Sequence, residues 1–490
     1  MSFLGVDVGT SQTKAIAYDG DFRPLAEASA AYERTVPRPG WCELDPQALV
    51  AAVRRAIACC AAECRQQPIE AVSFSVFGGG ITALDAARRP VLPILSTTDN
   101  RAQGEAEWWA AHFGRERTYG IAGTTTHTSL MLPKILWMRK HSPAAAEICL
   151  FVTAAELVTA ELGVPVAMDW ATASTTMLLD IHRRDWSPEI LQAAKIDAGW
   201  LPPVVPSGTI IGRIPGSVAE SLGLAPGCLV VAGGHDQQVC ALGAGLIAPG
   251  AATDSLGTVE CLTTLFERPL LAETFLAANF SNLLHVYGGR IATLAYNFSG
   301  GDLLAWFRDT FAPGESLEEV LGQMPDRPSA LLVLPHFVGS GTPHLDARSK
   351  GAVVGLTLST RREEILQAIV ESQSYEMRQN LDVWRAHGIA PERLRAYGKG
   401  SRSDAVLQVK ADVLGMPIER LTVREAGCLG AALLAARAAE PGLDLEETLR
   451  HVVRPAEVFT PRADRAGAYT EQYERYRQLY PALRELHHGM

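Results

Sequence analysis

The sequence has no apolar run long enough to span a bilayer and no extended cluster of basic residues. A net charge of −10 and a pI near 5.7 argue against nucleic acid or an anionic membrane surface as a partner. The N-terminus lacks the basic region of a signal peptide, and Asp7 interrupts its first apolar stretch. The nine cysteines are odd in number and lack the spacing of a disulfide framework. Together these absences predict a protein of the reducing cytoplasm.

What is present is enough apolar sequence for more than one core. The chain has 490 residues, of which 47% are apolar and 20% charged, and this length suggests two to four domains. A strand, a small polar turn and a second strand are predicted at Phe3–Tyr18 and again at Ala252–Phe266. No helix follows the first strand, which argues against a dinucleotide-binding fold. The repeated plan predicts a duplicated domain. We place the boundary so that the domains are 1–247 and 248–490.

Further elements follow from local patterns. Asp45 and Pro46 have the residue types of an N-cap and a first helical position, so a helix is predicted to begin there. Residues 101–198 are predicted to be mostly helical. Strands are predicted at Ala71–Ser75, at Leu229–Ala232 running into Gly233-Gly234, at Leu331–Leu334 and at Leu394–Tyr397, and helices at Arg362–His387 and Ala426–Ala439.

The first motif with possible chemistry ends the first strand. Asp7 places a carboxylate at the end of an apolar strand, where a charge is costly unless it is paired or binds a cation. Gly9, Thr10 and Ser11 follow, and small residues let backbone N–H groups approach a phosphate. The pattern suits a magnesium nucleotide. A turn without any ligand explains the motif about equally well.

A second turn of the same type begins the second half. Asp254 lies in a strand that runs into Gly257 and Thr258. Two such turns, each near the start of a predicted domain, favour binding over coincidence. Two facing hairpins could hold a polyphosphate from both sides.

The third motif is Gly233-Gly234-His235-Asp236, at a predicted change from strand to helix. A carboxylate at this position has two explanations. Asp236 is either a helix cap or the base that orients and deprotonates a substrate hydroxyl.

The fourth motif is a glycine-rich crossing between a strand and a helix. Gly398, Lys399, Gly400 and Ser401 contain a Gly-Lys pair, but no glycine lies five residues upstream of Gly398, so the segment is not a P-loop. A flat adenine ring can lie against such backbone. A generic tight turn is the alternative.

Taken together, these motifs resemble the FGGY family of carbohydrate kinases, from Phe3 to about Ala439. Residues 351–356, followed seven residues later by 364–371, resemble the family's C-terminal signature, and Pro133–Trp137 resembles its N-terminal signature. Residues 425–432 resemble the start of its last helix. The resemblance implies an α/β fold of two duplicated ribonuclease-H-like domains, as in actin, Hsp70 and sugar kinases, with a cleft between them.

The resemblance also implies roles for single residues, which fall into a metal site, two phosphate hairpins, an adenine loop, a sugar site and a base. ATP and Mg²⁺ would be the cofactors, a small sugar the substrate, and a homodimer an assembly to expect. The implied residues are Asp7 for Mg²⁺; Gly9, Thr10 and Ser11 for the first hairpin; Gly257 and Thr258 for the second; Gly398, Gly400, Ser401 and Asp404 for the nucleotide; Phe77, Gly78, Gly79, Asp99, Arg101 and Asp236 for the sugar; and Asp236 as the catalytic base.

The sequence departs from the family pattern at the sugar site and in the adenine loop. Xylulose-type members carry Gln-Met-His-Gly where this chain has Val76-Phe77-Gly78-Gly79, and a Trp precedes their Asp-x-Arg where this chain has Ser96-Thr97-Thr98. Lys399 stands between the adenine-loop glycines. The predicted activity is phosphorylation of a small ketose, a pentulose such as xylulose or a hexulose such as fuculose. The alternatives are a polyol kinase of the glycerol or erythritol type and a non-catalytic sugar-sensing protein of the same fold.

Overall fold

The computed structural model describes residues 2–490, and the first half of the chain builds one large sheet with small satellite sheets. Its strands are β1 Ser2–Val8, β2 Gln12–Asp19, β3 Pro24–Ala31, β4 Arg34–Thr35, β5 Glu43–Leu44, β6 Ile69–Val76, β7 Thr82–Leu84, β8 Ile94–Leu95, β9 Leu150–Val152, β10 Met168–Asp169, β11 Leu179–Asp180, β12 Asp185–Trp186, β13 Val204–Val205, β14 Ile210–Arg213 and β15 Leu229–His235. Its α-helices are α1 Pro46–Glu63, α2 Gln103–Trp109, α3 Arg115–Ala122, α4 Met131–His141, α5 Ala154–Glu161, α6 Trp170–Ala173, α7 Pro188–Ala194, α8 Gly216–Leu222 and α9 Asp236–Gly243.

The second half builds another large sheet. Its strands are β16 Ala252–Leu256, β17 Glu260–Phe266, β18 Leu283–Leu284, β19 Ile291–Asn297, β20 Leu332–Leu334, β21 Ala352–Val354, β22 Leu394–Tyr397, β23 Ile418–Leu421 and β24 Pro455–Phe459. Its α-helices are α10 Glu273–Ala277, α11 Gly301–Phe311, α12 Leu317–Leu321, α13 Arg362–Ala386, α14 Asp404–Leu414, α15 Ala426–Ala439, α16 Leu445–Val452, α17 Ala466–Tyr476 and α18 Leu479–Gly489. No helix within residues 2–490 combines the length and the apolar character that crossing a bilayer requires.

The two large sheets share one topology, which confirms the predicted duplication. The first has the order β14-β15-β6-β1-β2-β3, and the second has β18-β19-β17-β16-β22-β23-β24. In each, the first strand pairs antiparallel with the second and parallel with a strand that follows later. The common core β3-β2-β1-β6-β15 therefore corresponds to β19-β17-β16-β22-β23. This is the duplicated ribonuclease-H-like arrangement that the sequence predicts.

Local predictions hold where short-range chemistry decides the structure. The Asp45 side chain accepts a hydrogen bond from the Gln47 N–H, so it caps α1 as expected, with Pro46 as the first helical residue. The strand expected to end at Ala232 instead continues to His235. Gly233 and Gly234 thus belong to β15, at a shift in its register against β6, which is the geometry of a bulge. Residues 101–198, expected to be mostly helical, also contain β9 to β12.

Each half contributes a helix to the other half's sheet. Helix α9 follows the first sheet, yet Ala241 on α9 packs with Leu265 of β17 and Ala292 of β19. Helix α15 follows β23 of the second sheet, yet it lies against β1, β6 and β15 of the first, where Cys428 shares a core with Phe3. The opposite face of the first sheet is covered by α1. This pair of helices therefore joins the two halves.

Glycines allow these two helices to touch backbone to backbone. A Cβ on Gly430 of α15 would lie 2.1 Å from the Val239 carbonyl oxygen of α9, and a Cβ on Gly243 would lie 2.0 Å from the Ala426 carbonyl oxygen. A Cβ on Gly5 of β1 would lie 1.7 Å from the Cys428 oxygen. Real side chains do not fit at these distances. The crossing therefore requires glycine at each of the three positions.

Gly430→Ala should destabilise the protein, because the α9 backbone must shift to admit the methyl group. We expect a cost of about 1–3 kcal/mol, reduced by up to about 1 kcal/mol from the better helix propensity of alanine. Urea unfolding measures it. The matched control is Gly467→Ala in α17, where a Cβ meets nothing within 4 Å and alanine should be neutral or stabilising. Equal stability of the two variants would contradict the tight crossing.

Candidate active site

The Asp7 carboxylate lies near the end of β1 and is partly buried. Its neighbours are Ser75 on β6, whose hydroxyl donates a 2.6 Å hydrogen bond to Asp7 Oδ1, and Gly427 at the start of α15. A Cβ on Gly427 would lie 2.8 Å from Asp7 Oδ1, so glycine keeps space open beside the carboxylate. The parallel pairing of β1 with β6, which sets Asp7 opposite Ser75, brings these groups together.

Several charges surround Asp7. The pKa of Asp7 is raised to about 6: burial has the largest effect, the negative charges of Asp236 and Glu425 act in the same direction, and the Ser75 hydrogen bond and Lys14 oppose them. Lys14 on β2 is engaged by Glu425 in a 2.5 Å ion pair that joins the first hairpin to α15. Asp7 thus lies in an acidic group whose charge is only partly compensated.

The first predicted phosphate hairpin connects β1 to β2. The Gly9 N–H donates to the Gln12 carbonyl at 3.0 Å and closes the turn. Tyr32, which follows β3, fixes this turn from the side, because its hydroxyl donates to the Gly9 carbonyl and its N–H donates to the Ser11 carbonyl. Thr10 and Ser11 remain partly or fully exposed at the tip. The tip is therefore held in place while its hydroxyls remain accessible.

The second hairpin connects β16 to β17 and is supported by the beginning of α11. The Gly301 N–H donates to the Gly257 carbonyl at 2.8 Å, and the Gly300 N–H donates to the Thr258 carbonyl at 3.1 Å. A Cβ on Gly300 would lie 2.6 Å from the Thr258 oxygen, so only glycine permits this approach. Gln373 of α13 in turn donates to the carbonyls of Ser299 and Gly300.

A buried ion-pair cluster lies beneath the second hairpin. Lys410 of α14 is 2% exposed, and its ammonium lies 3.0 Å from Asp254 on β16 and also contacts Glu260 on β17. Burial alone would lower the pKa of Lys410, but the two carboxylates outweigh it and raise that pKa. The ammonium therefore stays charged and ties both strands of the hairpin to α14.

The predicted adenine loop lies directly beside the second hairpin. Gly398 has φ of +92°, and a Cβ on it would lie 2.8 Å from the Leu256 oxygen, so this position requires glycine. The Ser401 hydroxyl donates to the Gly398 carbonyl at 2.8 Å, while Lys399 is exposed. Lys399 therefore leaves the loop backbone free, and the loop leads through Ser403, the N-cap, into α14.

Asp404, the other residue expected near the nucleotide, lies at the first position of α14. Its carboxylate is exposed and pairs with Arg420 on β23. Arg420 also donates to the Ser401 carbonyl at 2.9 Å. Asp404 thus supports the loop through Arg420.

Asp236 is the first residue of α9, directly after the β15 bulge. A Cβ on Gly233 would lie 1.7 Å from the Phe74 oxygen, which shows how closely β15 approaches β6 at this point. The side chain of Asp236 is 29% exposed, and its charge acts on Asp7. A bulge beside a helix start is a common way to direct a side chain into a site.

The loop of Phe77, Gly78 and Gly79 follows β6. His235 lies between this loop and Asp236. The loop is fixed by Lys134 of α4, whose buried ammonium donates 2.7 Å hydrogen bonds to the carbonyls of Gly79 and Ser96. Burial lowers the pKa of Lys134 to about 7. Gly79 has φ of +69°. Lys134 therefore shapes the predicted sugar loop and does not face a ligand.

Asp99 and Arg101, predicted to contact the sugar, are bound to each other. Arg101 donates from Nε to Asp99 Oδ1 at 2.8 Å and from Nη2 to Asp99 Oδ2 at 2.7 Å. The Cys42 N–H also donates to Asp99 Oδ2, at 2.6 Å. Asp99 is fully buried, and the guanidinium stacks 3.7 Å from the Trp41 ring centroid. With these partners in place, the pair fixes the 41–44 segment. Contact with a sugar stays a prediction for both residues.

The structure thus brings most predicted residues to one region and adds others that sequence reasoning missed. Lys134, Lys410, Glu260 and the Gly300-Gly301 pair support the loops without being expected. The cluster around Lys410 has a signal in the sequence: two strands carry Asp254 and Glu260, and buried carboxylates require a cation nearby. Within residues 2–490, no three His, Cys, Asp or Glu side chains converge to hold a metal alone.

Comparison with known proteins identifies the family. Residues 2–243 match the model of the N-terminal domain of the FGGY family of carbohydrate kinases, and residues 252–439 match that of its C-terminal domain. The chain is similar to a xylulose kinase of Bacillus subtilis strain 168, with 27% identity over 99% of this chain and 97% of the relative. It is also similar to a glycerol kinase of Pediococcus pentosaceus, with 28% identity over 99% of this chain and 98% of the relative.

The fold has close counterparts as well. A crystal structure of a xyloylose kinase from Brucella ovis superposes with a TM-score of 0.91 and 27% identity, covering 99% of this chain and 100% of that chain. Fold and site together define a two-domain sugar phosphotransferase. The chain belongs to the FGGY family of carbohydrate kinases.

Replacing Lys410 with methionine should strongly destabilise the protein, because two buried carboxylates lose their cation. We expect a loss of about 3–5 kcal/mol in the free energy of unfolding. The matched control is the triple variant Asp254→Asn, Glu260→Gln and Lys410→Met, which removes all three charges and should recover most of the loss. Urea unfolding compares the two. A single variant as stable as the wild type would show that the cluster does not anchor the hairpin.

Proposed function

We propose that this carbohydrate kinase transfers the γ-phosphoryl group of ATP to a hydroxyl of a small ketose, a pentulose or a hexulose. The observation that supports it most is the position of Asp236. Its partly exposed carboxylate begins α9 within electrostatic reach of Asp7, beside the Phe77–Gly79 loop. The β1–β2 and β16–β17 hairpins, with the Gly398–Ser401 loop, are the proposed nucleotide site.

Asp236 is the proposed catalytic base. Phosphoryl transfer is a loose, in-line displacement, so positioning and charge neutralisation supply most of the catalysis. A sugar hydroxyl is much less acidic than a carboxylic acid. Asp236 therefore holds the hydroxyl in line and accepts its proton late in the reaction. Closure of the two halves would exclude water and limit ATP hydrolysis.

Asp7 is the proposed Mg²⁺ contact, directly or through water. One carboxylate is enough, because Mg²⁺ in phosphotransferases is held by one or two carboxylates, several waters and the substrate phosphates. The acidic surroundings of Asp7, formed by Asp236 and Glu425, also fit a cation. When bound, Mg²⁺ supplies neutralisation of the phosphate charge.

The sugar is the least constrained part of the proposal. The name of the Bacillus subtilis relative and the glycine-rich loop at Gly78-Gly79 favour a ketose with several hydroxyls. A polyol is the second candidate, since the Pediococcus pentosaceus relative is named a glycerol kinase. The need for ATP makes the cytoplasm the proposed compartment. A homodimer stays a prediction.

A screen of ADP release tests the substrate class and the catalytic base together. Pentuloses, hexuloses, glycerol and erythritol are each offered with MgATP to the wild type and to Asp236→Asn. We expect a ketose to be turned over by the wild type and a loss of kcat of at least about 10²–10⁴-fold in the variant. Asparagine conserves size, and Asp236 is the first helical residue and not the N-cap of α9, so no capping hydrogen bond is lost and the melting temperature should hardly change.

Other results of the screen would each overturn a stated part. A preference for glycerol or erythritol over every ketose would favour a polyol kinase. ATP hydrolysis unaffected by any sugar or polyol would favour the non-catalytic alternative. A folded Asp236→Asn variant with the wild-type kcat would remove Asp236 from the mechanism.

Asp7→Asn should raise the Mg²⁺ concentration needed for half-maximal activity, because a neutral amide is a weaker ligand than a carboxylate. We expect a change of about tenfold or more, since oxygen ligands bind Mg²⁺ largely through their charge. Mg²⁺ titration of activity at fixed ATP measures it. An unchanged Mg²⁺ requirement would contradict the proposed contact.

A further inference from the structure

His235 lies between the predicted sugar loop and Asp236. It is the last residue of β15, and its imidazole is 11% exposed. The Nε2 atom lies 3.4 Å from Asp236 Oδ1, and Nδ1 contacts the carboxamide oxygen of Gln238 on α9. The ring therefore touches the proposed base on one side and the helix that carries it on the other.

Gly78 lies against the Nε2 and Cδ2 atoms of the imidazole. A Cβ on Gly78 would lie 2.1 Å from His235 Nε2 and 2.3 Å from its Cδ2, well inside the contact distance of real atoms. The imidazole therefore occupies space that is available only because position 78 is glycine. Gly78 and His235 form a complementary pair across β6 and β15, whose adjacent residues Val76 and His235 are paired in register.

Hydrogen-bond accounting at Gln238 favours a proton on His235 Nε2. Gln238 is fully buried, and its Nε2 has no partner. With the Gln238 amide turned over, this Nε2 donates to His235 Nδ1, and the neutral ring carries its proton on its own Nε2. This arrangement points an Nε2–H group at Asp236.

We propose that His235 is a positioning residue for Asp236, held in place by Gly78 and Gln238. Its Nε2–H donates to Asp236 Oδ1 and leaves Oδ2 to the substrate hydroxyl. The 3.4 Å separation is longer than that of an ordinary N–H···O hydrogen bond, and catalytic hydrogen bonds often shorten when substrate binds. The inference rests on the proposed role of Asp236 in phosphoryl transfer.

Two isosteric substitutions separate positioning from packing. Glutamine places an amide nitrogen near the Nε2 position, and asparagine places one near the Nδ1 position. If His235 acts through Nε2, His235→Gln should retain most of the kcat, and His235→Asn should lose roughly tenfold to a hundredfold, since small misplacement of a reacting group costs about that much. The KM for ATP should stay constant in both. Equal kcat values in both variants and the wild type, or a larger loss in His235→Gln, would overturn the proposal.

Substitution of Gly78 provides an independent test of the proposal. Gly78→Ala forces the ring to move, so it should reduce kcat by a similar factor in the wild type. In the His235→Asn background the ring is absent, and Gly78→Ala should reduce kcat only slightly. The effects of the two substitutions on kcat would then be non-additive. An equal cost in both backgrounds would show that Gly78 acts through something other than His235.

A measurement without turnover keeps this inference separate from the proposed activity. Imidazole ¹⁵N spectra identify the His235 signals by their absence in His235→Gln, and they report which ring nitrogen carries the proton. Asp236→Asn should shift the Nε2 signal of His235 and leave the other histidines unchanged. No shift would overturn the contact even if the kinase is active. A clear shift with no sugar turnover would leave the contact standing and refute the proposed function instead.

Discussion

The crossing of α9 and α15 is the contact on which the rest of the structure depends. Helix α15 packs on the first sheet, α9 contacts strands of both sheets, and the two helices meet backbone to backbone at Gly243 and Gly430. The two proposed catalytic carboxylates are attached to this crossing. Asp236 begins α9, and Asp7 lies against Gly427 in the first turn of α15. A small movement of α9 against α15 would therefore change the separation of Asp236 from Asp7.

Two buried lysines show how the loops around the site acquire fixed shapes. Lys134 binds main-chain carbonyls and has a lowered pKa, whereas Lys410 binds two carboxylates and has a raised one. The first acts as a hydrogen-bond donor to backbone carbonyls, and the second as a counterion. Both choices satisfy a buried polar group that would otherwise destabilise the loop. Neither lysine needs to touch a ligand to matter for binding.

Much of the fold could be predicted from the sequence, because its signals are local. The Asp45-Pro46 cap, the strand–turn–strand plan and helix Ala426–Ala439 follow from short-range chemistry. The position of α15 on the first sheet could not be predicted, because it depends on contacts between residues more than 400 positions apart, such as Gly5 and Cys428. The predicted strand ends at Ala232 and not at His235, because glycine often marks the end of a strand and is also favoured at a bulge. The pairing of Asp99 with Arg101 likewise depends on a buried setting that no local pattern records.

The exchange of helices also has a consequence for synthesis of the chain on the ribosome. The first sheet is complete when His235 has emerged, but the face that α15 covers stays open until Ala439 follows, roughly 200 residues later. At ordinary elongation rates that interval lasts about 10–40 s. Phe3, Ile16 and Val231 on that face remain without their final partners throughout. The nascent first half therefore exposes an apolar surface until α15 is synthesised. Chaperones can bind this surface, or it can cause aggregation.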